Sequence, residues 1–163
     1  MYLPATSELL RSLARDGSVG PAPLTAFGVT PALREWYVGG DVEELEYAAS
    51  LEAARSSLRL IEADAAAARR RVVVALDAPD MTVEVRDDLD RGVVRLSEPV
   101  TLAQVASIHI DDLEAEQTVA AAAAAIDAAD VGDESAQESV DDAEGFELSW
   151  YATQELDALV ATL

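Results

Sequence analysis

The sequence predicts an α+β fold: one domain spanning residues 1–163, a mixed sheet of about five strands, and helices packed on it. A three-layer α/β arrangement is the alternative. Three observations carry this expectation. Short apolar, β-branched runs (VVVAL at 72–76, VVRL at 93–96, SIHI at 107–110) are bounded by Pro, Gly and acidic turns. Helical periodicity recurs at three- and four-residue spacing across 41–62 and 111–130. The order of these signals, β-α-β-α-β followed by β-β-α-α, does not alternate strictly, which disfavours a purely parallel sheet.

MYLPAT supplies a first strand that stops at Pro4. In TSELLRSLARDG, Thr6 or Ser7 can cap, Leu9, Leu10 and Leu13 form an apolar face, and Gly17 ends the helix. SVGPAP is expected to be a loop, and LTAFGVT a second strand. Thr30-Pro31 sets a cap followed by proline at the first helical position, and that helix ends near Gly39-Gly40. Asp41 caps a longer helix to about Glu62, whose stripe is expected to be Tyr47, Leu51, Ala54, Leu58 and Ile61. Arg55 and Arg59 lie one turn apart near Glu52 and Glu62, which predicts ion pairs along the same helix.

Val72–Leu76 reads as a buried central strand. DMTVEVRDDLDRG is expected to be exposed, with a short edge strand at Thr82–Val85. GVVRLSEPV is a fourth strand stopped by Pro99, and TLAQV a connector. In ASIHID, Ile108 and Ile110 point one way, Ser107 and His109 the other. Asp111 and Glu114 have capping-box spacing into the alanine-rich helix that follows, which should bury Val119, Ala122, Ala123 and Ile126. Residues 131–145 read as an acidic, candidate mobile connector with a short helix after Asp133. A last helix is expected from about Phe146 to Leu159.

Charge is the strongest compositional fact. Of 163 residues, 32 are acids and 11 are bases, every base being arginine. Residues 96–163 hold 16 acids and no base, a net of −16, against −5 for residues 1–95. Such a segment repels nucleic acid and anionic lipid, so neither is an expected partner. No apolar run is long enough to span a membrane, and no signal peptide is evident. A cytoplasmic location is the default. With no cysteine, thiol catalysis and Cys-ligated zinc are excluded. The acidic clusters lack calcium-loop spacing and no Gly-rich phosphate loop occurs, so no metal or cofactor is expected.

The candidate binding residues are aromatic. Two Trp-Tyr dipeptides, Trp36-Tyr37 and Trp150-Tyr151, hold half of the eight aromatics. Their ordinary role is to seal helices onto the sheet. The functional reading makes Phe146 and Trp150 an exposed ridge for a partner. The candidate catalytic residues are weaker. His109, the single histidine, sits on a polar strand face, and Asp111 two residues on could orient it as a proton acceptor. Arg69-Arg70-Arg71 before the central strand reads as compensation for local acid.

The blocks YLPAT, LTAFGVTPALREWY, EELEYAAS, RRRVVVALDAPD and WYATQEL together resemble a family of small acidic actinobacterial proteins classed as a domain of unknown function, over nearly the whole chain. That resemblance implies a cytoplasmic bacterial protein and no particular activity. A second similarity, at the level of fold only, is to ADP-ribosyltransferase-like domains, which implies NAD binding between strands. Their first-strand Arg or His is replaced here by Tyr2, and Glu98 is the position that could stand for their late glutamate. The leading expectation is a non-enzymatic interaction module that offers a negative C-terminal half to a basic protein partner. The alternative is a divergent ADP-ribosyltransferase-like, NAD-binding enzyme.

Overall fold

Alternation and capping chemistry decide the elements of the computed structural model, which describes residues 1–163. The strands are β1 (Tyr2–Ala5), β2 (Ser18–Val19), β3 (Leu24–Phe27), β4 (Val72–Leu76), β5 (Val83–Val85), β6 (Val93–Leu96), β7 (Val100–Thr101), β8 (Val105–Ile110) and β9 (Ser149–Ala152). The helices are α1 (Ser7–Asp16), α2 (Pro31–Trp36), α3 (Val42–Ala63), α4 (Glu116–Asp130), α5 (Glu134–Glu144) and α6 (Leu156–Val160). Seven strands form one sheet in the order β5-β6-β3-β1-β4-β8-β9, and β2 pairs with β7 in a second, two-stranded sheet. The fold is α+β, with seven main strands in place of about five. Every pair is antiparallel rather than mixed. No helix is long and apolar enough to cross a membrane.

The helix starts follow side-chain oxygens. Thr6 accepts from Leu9 N, Thr30 from Leu33 N, Asp41 from Glu44 N and Asp133 from Ala136 N, each satisfying an orphan amide of a first turn. Asp41 and Glu44 complete a reciprocal capping box. Gly17 ends α1 at φ +70°, a left-handed conformation that glycine adopts without a Cβ penalty.

The two faces of the sheet are covered differently. Leu3, Val72, Val74, Ile108 and Ile110 pack with Leu10 and Leu13 of α1 and Leu156 and Leu159 of α6. On the other face, Phe27, Val73 and Val93 pack with Leu45, Ala49 and Ala53 of α3. The far side of α3 then receives the α4–α5 hairpin through Leu58, Ile61, Val119, Ile126 and Val140. Small alanines bring these three helices close, and Ser57 fixes α3 on the sheet. Its hydroxyl donates to Ala5 O at 2.7 Å and accepts from Val72 N at 3.1 Å.

Several expectations are corrected by this packing. Ser18–Val19 is a short strand because Val100–Thr101 offers it an antiparallel partner. Tyr47 lies off the α3 stripe and is exposed, because the helix turns Leu45 and Ala49 to the sheet. Arg55 and Arg59 reach across to Asp130 of α4, rather than along α3, at 3.1 and 2.7 Å. Asp111 does not cap α4, which begins five residues later at Glu116; its carboxylate is fully buried and bound to Arg71. The helix expected after Asp133, by contrast, is present: residues 134–144 of the acidic stretch form α5, with Ala136, Val140 and Ala143 buried.

The largest correction concerns the C-terminus. Phe146–Leu159 is not one helix: Ser149–Ala152 adds an edge strand to β8, and only Leu156–Val160 is α-helical. The Ser-Trp-Tyr run favours a strand, and β8 would otherwise leave a row of amides unpaired. The cap Gly145 had already ended α5.

Candidate functional site

Cross-strand neighbours share one face of a sheet. The registers Tyr2↔Ala75, Val73↔His109, His109↔Trp150 and Ser107↔Ala152 therefore set Tyr2, Val73, Ser107, His109 and Trp150 on the α3 side. Above them runs the N-terminal half of α3, and beside them the segment joining α5 to β9. These three walls border a half-open cavity of about 420 Å³. Tyr2, Val73 and His109 come from the sheet, Tyr47, Leu51 and Ala54 from α3, and Phe146 and Leu148 from the joining segment. Four carboxylates line it as well: Glu43 and Glu46 from α3, Glu144 from the end of α5, and Glu147.

One base sits among them. Arg71 is 2% exposed, and its carboxylate partner Asp111 is 0% exposed. Asp111 Oδ2 accepts from Arg71 N at 2.7 Å and from Arg71 Nε at 2.9 Å, while Oδ1 accepts from Arg71 Nη2 at 2.7 Å. Arg71 Nη2 also donates to Phe146 O at 2.9 Å, which ties the joining segment over the cavity. Arg70 Nε donates to the Asp111 carbonyl at 2.7 Å. Of the arginine trio, only Arg71 compensates a local acid, Asp111; Arg69 and Arg70 donate to backbone carbonyls, of Ile61 and Asp111 respectively.

Burial holds the His109 imidazole below its ordinary pKa, so the neutral ring prevails near neutrality. One ring nitrogen, Nε2, lies 2.9 Å from Ser107 Oγ. Burial, then the Glu46 carboxylate, pushes the Tyr2 phenol up. Burial lowers the N-terminal amine, against Asp77 and Glu46, while it donates to Leu76 O at 3.1 Å.

The structure gathers some of the sequence-selected residues and separates others. His109 and Phe146 line the same cavity. Asp111 does not orient His109: its carboxylate oxygens are taken by Arg71, and the histidine's neighbour is Ser107. Glu98 is exposed in the turn after β6, and β3, β1 and β4 lie between β6 and the strand that carries His109. Trp150 is 61% exposed on the edge strand, so it does not seal a helix. Phe146 is half-buried against the α4–α5 core and forms cavity wall rather than an exposed ridge. Tyr151, on the opposite face, packs against the main core. Trp36 is 60% exposed and stacks beneath the Arg91 guanidinium, 3.5 Å from its ring centroid. Tyr37 borders the same smaller hollow, of about 170 Å³, together with Glu52, whose carboxyl is pushed up by burial and then by Asp90.

Glu43 and Glu46 were not singled out by the sequence, and Tyr2 and Arg71 were noted there without being placed in a common site. The signals were present, in an arginine at the mouth of an apolar strand and in the acidic first two turns of a long helix. Only the antiparallel register brings them to one place.

No curated protein and no solved structure matches this chain. Residues 1–160 match the model of a family of unknown function, DUF6912, and the chain belongs to that family.

Proposed function

We propose that the protein is a non-enzymatic interaction module that presents its negative C-terminal half to a basic protein partner. The observation that carries this reading is the lack of internal neutralisation. Of the sixteen acids in residues 96–163, only Asp111, Asp130 and Glu144 meet an arginine. The other thirteen have no ion-pair partner, although most belong to helices folded against the rest of the chain. Charge of one sign on a folded surface speeds encounter with an oppositely charged protein and resists like-charged ones. Trp150, exposed on the edge strand beside this surface, is the available aromatic anchor.

The test is calorimetric titration with hexa-arginine and with a glycine-serine peptide of equal length, at about 20 mM and about 500 mM salt, where screening lengths differ several-fold. Binding of the arginine peptide that weakens with salt supports the reading. Neutralising Glu134, Glu138 and Asp142 on α5 is expected to weaken it further. Absence of salt-sensitive binding by the wild-type chain overturns it.

A further inference from the structure

We infer that the cavity between α3 and the sheet receives the side chain of a single arginine borne by the basic partner. This rests on the interaction reading above and names the point of recognition. The cavity volume, about 420 Å³, is in the range that holds an organic group of this size. Its chemistry is matched to a guanidinium on an alkyl stem. Glu43, Glu46, Glu144 and Glu147 provide carboxylates, and of these only Glu144 has an ion pair in the chain, a long one of 3.9 Å to Arg55. Tyr2, Tyr47 and Phe146 provide ring faces, while Leu51, Val73 and Leu148 provide apolar wall for methylenes. A planar guanidinium stacks on rings and pairs bidentately with carboxylates, which a compact ammonium does less well. The chain makes the same stack itself where Arg91 covers Trp36.

A second, independent observation comes from Arg71. It is nine-tenths buried and more, lines the cavity, and spends Nε and Nη2 on Asp111 and Phe146. Its Nη1 makes no hydrogen bond within the chain, whereas Nε and Nη2 do. A free N–H donor on a side chain that lines the cavity can take an acceptor from a ligand. A free α-carboxylate would meet four glutamates there, whereas a peptide carbonyl carries no net charge. The acceptor therefore favours an arginine within a peptide chain over the free amino acid, and over a bare amine that has no acceptor.

The test is an NMR titration with acetyl-Gly-Arg-Gly-amide, and with its lysine analogue, free arginine and agmatine as separate arms. Saturable shifts at Val73, His109 and Leu148 are expected for the blocked arginine peptide. In the variant Glu46→Gln/Glu147→Gln, binding is expected to weaken at least about tenfold, as for loss of charge-assisted contacts. Glu84→Gln/Asp87→Asn, with the same change in charge at the far edge of the sheet, is expected to bind within about twofold of wild type. Circular dichroism checks that both variants fold. Equal weakening in the two variants, or shifts scattered over the acidic surface, overturns the cavity site while leaving the charge-directed reading intact. Tighter binding of agmatine or free arginine, or of the lysine peptide, overturns the peptide-borne arginine. If hexa-arginine also fails to bind, the interaction reading itself falls.

Discussion

Arg71 and Asp111 form a buried, two-pronged ion pair at 2.7 and 2.9 Å, each residue immediately outside the paired strands β4 and β8. The antiparallel register Val72↔Ile110 makes them neighbours although they are forty residues apart. The same aspartate accepts the Arg71 backbone amide, so it serves strand pairing and charge compensation together.

Removing one partner of such a pair leaves an uncompensated charge out of water. Asp111→Ala is expected to destabilise the fold by about 3–5 kcal/mol. The double variant Arg71→Met/Asp111→Leu is expected to recover much of that loss, because two apolar groups need no solvation. Urea denaturation of the single and double variants measures both. A single variant as stable as wild type contradicts the buried geometry.

Ser57 joins three elements through one hydroxyl, bonded to Ala5 O and Val72 N. Ser57→Ala leaves both of those buried backbone groups without it and is expected to cost about 1–3 kcal/mol. Ser50, whose hydroxyl only returns to Tyr47 O at the surface, is expected to change stability by less than about 0.5 kcal/mol when replaced by alanine. Thermal or chemical unfolding of the two variants compares them directly.

The tryptophans report on the correction at the C-terminus. Both are about three-fifths exposed. In single-tryptophan variants Trp36→Phe and Trp150→Phe, acrylamide is expected to quench the remaining emission strongly. Trp36 should be the more protected of the two, because Arg91 covers one ring face. Weak quenching of Trp150 would return it to a helix-sealing position.

His109 gives a pH signature with a definite sign. Burial lowers its folded-state pKa below the ordinary 6.5, so the unfolded chain takes up the proton first as pH falls. Its contribution to stability is complete above about pH 6.5 and is lost as pH drops from there toward the folded-state value. Wild type is therefore expected to lose more stability than His109→Gln between about pH 7.5 and 5.5. Asp130, lowered by Arg59 and then Arg55, works in the same direction at more acidic pH, and is common to both proteins. The histidine ring resonances should titrate with a midpoint below 6.5; a midpoint at or above it would refute the buried neutral ring.

Local chemistry was sufficient where one residue controls its own backbone surroundings. Thr6, Thr30, Asp41 and Asp133 each announce a helix start because a short side chain reaches an amide three residues on. The apolar run at 72–76 announces a central strand because both its faces must leave water. The uneven charge of the chain is likewise fixed by composition.

What the sequence left open was every choice made by a distant neighbour. SWYATQEL carries helical spacing and strand-forming side chains together, and the vacant edge of β8 resolved it as a strand. Asp111 has the spacing of a cap, but pairing of β4 with β8 set it against Arg71 instead. The cavity combines β1, α3, β4, β8 and the segment after α5, with Tyr2 and Glu147 at opposite ends of the chain. Helix caps depend on contacts a few residues long, and those are written in order along the chain. Sheet register and the convergence of carboxylates around a buried guanidinium depend on loop closure and long-range burial, so they existed only once the chain had folded.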